Sequence, residues 1–165
     1  MASLSPPSRF RDPQFTKRAS LDVILVRCPK CDGMARVAPA PGLPDDPPPP
    51  VTRRRRLICA ACGLARWSGD VAVFRWGDGQ ATDPWFRAPL WLQTETRHGW
   101  VWARNPEQLE VLRQFVAASL RERPPWYERG RKMTYIGRLP AWIKRGKNRD
   151  EVLRAIDRVR ASLEE

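Results

Sequence analysis

Apolar residues fall into short alternating runs in the first two-thirds of the chain and into wider helical stripes after that. Residues 21–27 (LDVILVR), 34–38 (MARVA), 53–58 (RRRRLI) and 64–67 (LARW) read as strands, giving two short hairpins. Residues 71–76 (VAVFRW) predict a further strand that ends at a Gly-Asp-Gly turn. Residues 90–96 and 100–104 predict a β-hairpin turning through Arg97-His98-Gly99. The period then lengthens. Asn105, Pro106 and Gln108 form a helix start, and Leu109, Leu112, Val116 and Leu120 line one face to about Arg123, where Pro124-Pro125 stop it. A last helix is capped by Asn148 with Glu151 three residues on, and Val152, Ile156, Val159 and Leu163 form its stripe. Residues 139–144, behind Pro140, predict a short helix between the two.

Each of the first two hairpins turns at a cysteine pair. Cys28-Pro29-Lys30-Cys31 and Cys59-Ala60-Ala61-Cys62 use every cysteine in the chain. A C-x-x-C knuckle directs backbone amides at its thiolates, and two knuckles close a tetrahedral shell around zinc. Gly33 and Gly63 follow the second cysteines, where the chain needs a permissive turn. The gap between Cys31 and Cys59 is 27 residues, but residues 39–50 hold seven prolines in twelve positions and read as an inserted loop. Removing that loop brings the spacing into the usual window of about 15–20 residues. Two disulfides fit poorly with a leaderless chain, and a thioredoxin-type site needs one such pair rather than two. Four thiolates leave zinc no open position for water, so the ion reads as structural and contributes on the order of 10–16 kcal/mol to folding.

The knuckles and their flanking strands, over about residues 22–76, resemble a zinc ribbon of the transcription factor IIB type. The likeness continues in Leu90-Trp91-Leu92-Gln93-Thr94, Trp102-Ala103-Arg104-Asn105, Leu120-Arg121-Glu122-Arg123, Leu139-Pro140-Ala141-Trp142-Ile143 and Lys147-Asn148-Arg149. Together these are similar to a bacterial family of TFIIB-type zinc-ribbon-containing proteins, over most of residues 22–163. Some relatives carry names borrowed from a replication-restart helicase. This chain has no GxxxxGK[ST] phosphate loop and is too short for a motor, so the resemblance implies a fold and a nucleic-acid setting rather than an activity. The predicted architecture is α+β. A flexible tail over 1–20 precedes a four-cysteine zinc ribbon with short antiparallel strands over 21–76. A β-hairpin plus helix over 77–123 and a basic linker with C-terminal helices over 124–165 follow.

Charge adds a partner to this picture. The 165 residues carry 30 Lys and Arg against 18 Asp and Glu, a net charge of +12. Coding bias explains why most of the basic residues are Arg, but not the excess over acids, which implies a polyanionic partner or an acidic protein surface. Residues 1–70 carry +6, 71–120 are neutral, 121–149 carry +8 and 150–165 carry −2. Arg53, Arg54, Arg55 and Arg56 read as phosphate contacts that release counterions, the bland alternative being a solubilising run. Arg129, Arg131, Lys132, Lys144, Arg145 and Lys147 interleave with Trp126, Tyr127, Tyr135 and Trp142, the ingredients of single-strand binding. Core packing of Trp126 and Trp142 is the competing reading.

The remaining chemistry is sparse. Trp76, Trp85, Trp91, Trp100 and Trp102 read as core between hairpin and helix, and His98 as an exposed turn residue. Asp70, Asp78, Asp83 and Glu95 are the candidate carboxylates for a metal-dependent nuclease, but they lack a Glu-x-Lys companion. There is no free cysteine nucleophile and no GxSxG elbow. The longest aliphatic run, residues 23–26, is too short to span a bilayer, and the N-terminus lacks an apolar h-region. The expectation is a cytoplasmic, non-catalytic zinc protein with no small-molecule substrate, binding nucleic acid through phosphates with little sequence specificity. The alternative is an adaptor that docks on an acidic partner in the transcription, replication or ribosome machinery.

Overall fold

The computed structural model describes residues 9–11, 22–40, 54–68, 71–74, 79–118, 120–122, 136 and 139–164. It is a mixed α/β structure with mainly antiparallel strands. Four strands, β2 (Ile24–Arg27), β3 (Met34–Pro39), β4 (Arg55–Ile58) and β5 (Ala65–Trp67), form one sheet in chain order; β1 (Arg9–Arg11) lies outside it. A hairpin of β6 (Leu92–Thr96) and β7 (Gly99–Ala103) follows, then helix α1 (Pro106–Ala117). After β8 (Leu120–Glu122) come the short helix α2 (Ala141–Lys144), a 3-10 turn (Gly146–Asn148) and α3 (Arg149–Ala161).

Strand alternation decides where the core lies. Ile24 and Val26 point into a cluster with Val37, Leu57, Trp85, Leu90 and the buried Cys28 and Cys59. Leu25, between them, points the other way, into a second cluster built from Leu92, Val101, the α1 residues Leu109, Leu112, Phe115 and Val116, and the α3 residues Val152, Ile156 and Val159. β2 is therefore shared. Its free edge is paired as well: Leu25 donates to the Arg104 carbonyl at 2.8 Å, Arg27 to that of Pro89 at 2.8 Å, and Trp91 to that of Leu25 at 3.0 Å. Between the sheet and the hairpin, residues 83–88 fold round Asp83. Its buried carboxylate accepts from the amides of Trp85, Phe86 and Ala88 at 2.9, 2.8 and 2.7 Å. Burial pushes this carboxyl above its ordinary range, and the amides pull against that shift.

Several elements depart from the pattern read in the sequence. The hairpin pairs Thr96 with Gly99, so the turn is only Arg97-His98. Residues 71–74 form no strand: Val71 and Val73 are exposed, and the Val73 amide donates to the Pro84 carbonyl at 2.9 Å. Helix α1 starts as expected, with Asn105 Oδ1 accepting from the Gln108 amide at 2.8 Å, but it ends at Ala117 rather than near Arg123. Residues 120–122 instead pair in parallel with Arg9–Arg11, and the Arg149 guanidinium caps the helix end by donating to the Ala118 carbonyl at 3.2 Å. The tail read as flexible thus contributes a strand, and Phe10 is buried in T-shaped contact with Phe115, centroids 5.3 Å apart. Asn148 begins α3 without a side-chain cap. It donates instead to the Trp142 carbonyl at 2.9 Å, tying the last helix to α2.

Candidate metal centre and basic sheet face

The two cysteine knuckles share one backbone scheme. In the first, the Cys28 amide donates to the Gly33 carbonyl at 2.7 Å and the Asp32 amide to the Cys28 carbonyl at 2.9 Å. In the second, Cys59 donates to Leu64 at 2.9 Å and Gly63 to Cys59 at 2.9 Å, at the same offsets. The left-handed residue is the one directly after each second cysteine: Asp32 with φ 61° and Gly63 with φ 75°. The first knuckle's glycine therefore serves for space rather than for conformation, since a Cβ on Gly33 would lie 3.3 Å from the Cys31 sulfur.

These turns bring the four thiols together. Cys28 Sγ lies 3.6 Å from Cys62 Sγ, Cys31 Sγ lies 3.6 Å from Cys59 Sγ, and all four sulfurs fall within 4.8 Å of one another. A tetrahedral ion with metal–sulfur bonds of about 2.3 Å sets its sulfurs about 3.8 Å apart, so the cluster fits one metal ion in a closed thiolate shell. Among the described residues it is the only cluster of His, Cys, Asp or Glu with this capacity. Where protons rather than a cation hold the sulfurs together, the thiols diverge. Desolvation opposes charge on Cys28, but the amides of Cys31 and Lys30 and the thiols of Cys62 and Cys59 outweigh it and bring the thiol to about 6. For Cys31 the Gly33 amide favours the thiolate, yet Cys59, burial, Cys62 and Cys28 together push the thiol to about 12.

Register divides the arginine run. Arg55 points inward and is completely buried, its guanidinium 4.2 Å from the Trp85 centroid and donating to the Asp22 carbonyl at 3.2 Å. It is a core residue and does not join a phosphate-contacting surface, because the alternation that turns exposed Arg54 and half-buried Arg56 to one face turns it to the other. Arg54 and Arg56 lie on the opposite face, where their guanidiniums sit 5.4 and 5.3 Å from the ring of Trp67. Such exposed cation–π contacts are worth about 0.5–1 kcal/mol each. Trp67 is 50% exposed. The sequence places it in a strand but carries no sign of its exposure, which only its cross-strand pairing with Arg56 reveals. Arg36, on the neighbouring strand, is exposed too, and β3, β4 and β5 contain no acidic residue.

Arg53, Arg129, Arg131, Lys132, Trp126, Tyr127, Tyr135, Trp76, Asp70 and Asp78 lie outside the described residues. Lys144 is half-buried on α2, and Arg145 and Lys147 are exposed beside it. Trp142 packs against the helical core and stacks on His98, centroids 5.6 Å apart. The exposed His98 also lies 3.3 Å from a Glu151 carboxylate oxygen. Of the carboxylates considered for a nuclease, Asp83 is occupied by the three backbone amides, and Glu95 lies on the exposed side of β6. No family model, curated protein or solved structure matches the chain. The site therefore rests on its own geometry. Among the described residues, no helix is long and apolar enough to cross a membrane.

Proposed function

We propose that this is a non-catalytic zinc-ribbon protein that binds nucleic acid mainly through phosphates, with little sequence specificity. The observation that carries the reading is the open face of β3–β5, where Arg36, Arg54 and Arg56 stand without an acidic neighbour on those strands. Zinc is the ion that best suits four thiolates in a tetrahedral, redox-inert structural site. Its role is to lock both knuckles and hold the strands that present the arginines; with four protein ligands it has no position for a reacting water. A basic surface that touches phosphates but reads no base edges binds with affinity governed by counterion release.

The test is fluorescence anisotropy of the zinc-loaded protein with labelled single- and double-stranded DNA and RNA over a salt series. Binding should weaken steeply with salt, and the Arg36→Ala/Arg54→Ala/Arg56→Ala variant should flatten the log–log slope by about 2–3, at roughly 0.7–0.9 per phosphate contact. Absence of binding to all ligands at low salt overturns the proposal. The adaptor reading draws on a different observation, the exposed Met34, Ile58, Val71 and Val73. It predicts capture of a specific protein that survives nuclease treatment.

A further inference from the structure

The open sheet face has a layout as well as a charge. Cross-strand register sets Arg56 beside Trp67, and Ile58 between Arg36 and Ala65. Met34 precedes Arg36 by two residues on the same face of β3. Trp67, Ile58 and Met34 are 50, 40 and 38% exposed, so large apolar side chains run diagonally across three strands with guanidiniums between and beside them. Neighbouring positions on such a face are spaced about 5 Å across the strands and about 7 Å along them.

We propose that this face is a platform for an unpaired nucleic-acid strand. One base stacks on Trp67 and the next lies over Ile58 towards Met34, while Arg54, Arg56 and Arg36 hold the intervening phosphates. This rests on the nucleic-acid reading above and narrows it to single strands. In a duplex the base faces are already stacked, and a half-exposed indole on the sheet face meets only the sugar–phosphate exterior, where an apolar strip gains nothing. A single strand offers the alternation of flat apolar rings and anionic links that the face itself displays. The Arg54 and Arg56 contacts to the indole, at 5.4 and 5.3 Å, are looser than a base stack. An arriving base can replace a guanidinium on the ring and release it to the adjacent phosphate. A protein partner would match the apolar strip but would also have to supply an acid for each arginine.

The experiment uses the full chain, zinc-loaded, with labelled short oligo-dT, oligo-U and a duplex of equal length. Wild type should bind both single strands more tightly than the duplex, and their ranking reports the combined effect of the sugar and the thymine methyl. Trp67→Ala should weaken single-strand binding roughly tenfold and duplex binding by less than about twofold, with Trp67→Phe retaining most of the affinity. Zinc content and melting temperature serve as the folding control, and Ile58→Ser carries the same test if Trp67→Ala fails that control. Unchanged single-strand affinity in these variants, equal losses on both ligand types, or a wild-type preference for duplex overturns the platform while leaving phosphate binding intact. Binding to none of the ligands at low salt overturns both readings and leaves the strip as a protein-docking face.

Discussion

Asp32 and Gly63 hold equivalent left-handed positions in the two knuckles, and nothing lies within 4 Å of where a Cβ on Gly63 would sit. The cost of a side chain there is thus conformational and not steric. Gly63→Ala should lower the unfolding free energy by about 1–2 kcal/mol, and Gly63→Asn by less because Asn tolerates this region. Chemical denaturation of the metal-loaded protein separates the two, and equal costs would refute the explanation. Arg55 offers a second contrast. Arg55→Ala removes a buried cation stacked on Trp85 and should destabilise by about 2–4 kcal/mol, whereas exposed Arg54→Ala should shift the urea midpoint hardly at all. Four identical letters carry no inside–outside alternation, which is why the arginine run reads from sequence as one uniform surface. Only the pairing of Arg56 with Trp67 reveals which members face outward.

Among the elements, the most legible from sequence are those with a local cause. Cysteine spacing locates both knuckles because each is closed by bonds within six residues. Asn105 and Pro106 locate the start of α1 for the same reason, since the cap is a bond to the Gln108 amide. The end of α1 is not legible: the pairing of 120–122 with Arg9–Arg11 joins segments more than a hundred positions apart, and residues 118–122 alone are compatible with helix. The candidate site divides the same way, its thiols evident from spacing and its exposed tryptophan only from register. A metal ion that locks both knuckles should support the whole sheet. Chelation is expected to lower the calorimetric melting temperature by at least about 10 °C, given roughly 2–4 °C per kcal/mol for a chain of this size. An unchanged transition would rule out a structural ion. Loading should also fall as the pH is lowered, because protons compete with the ion for all four thiolates, and metal content measured across a pH series checks it.

The two apolar clusters meet at β2, and the segment around Phe10 closes the helical one from outside. Phe10 stacks edge-on against Phe115 at an interplanar angle of 81°. Phe10→Ala should therefore cost about 3–5 kcal/mol, as for other buried aromatic truncations. A loss well under 1 kcal/mol in the same denaturation assay would show that β1 contributes nothing to the core.

The double allegiance of β2 limits how this chain can be cut or recombined. A fragment ending at residue 76 keeps all four cysteines, yet it leaves Leu25 facing water and removes the Arg104 and Pro89 carbonyls that receive the Leu25 and Arg27 amides. Transplanting the cysteine site into another scaffold would have to carry residues 89–92 and 101–104 with it or supply substitutes. As a unit of inheritance, the stretch from Ile24 to Arg104 travels together.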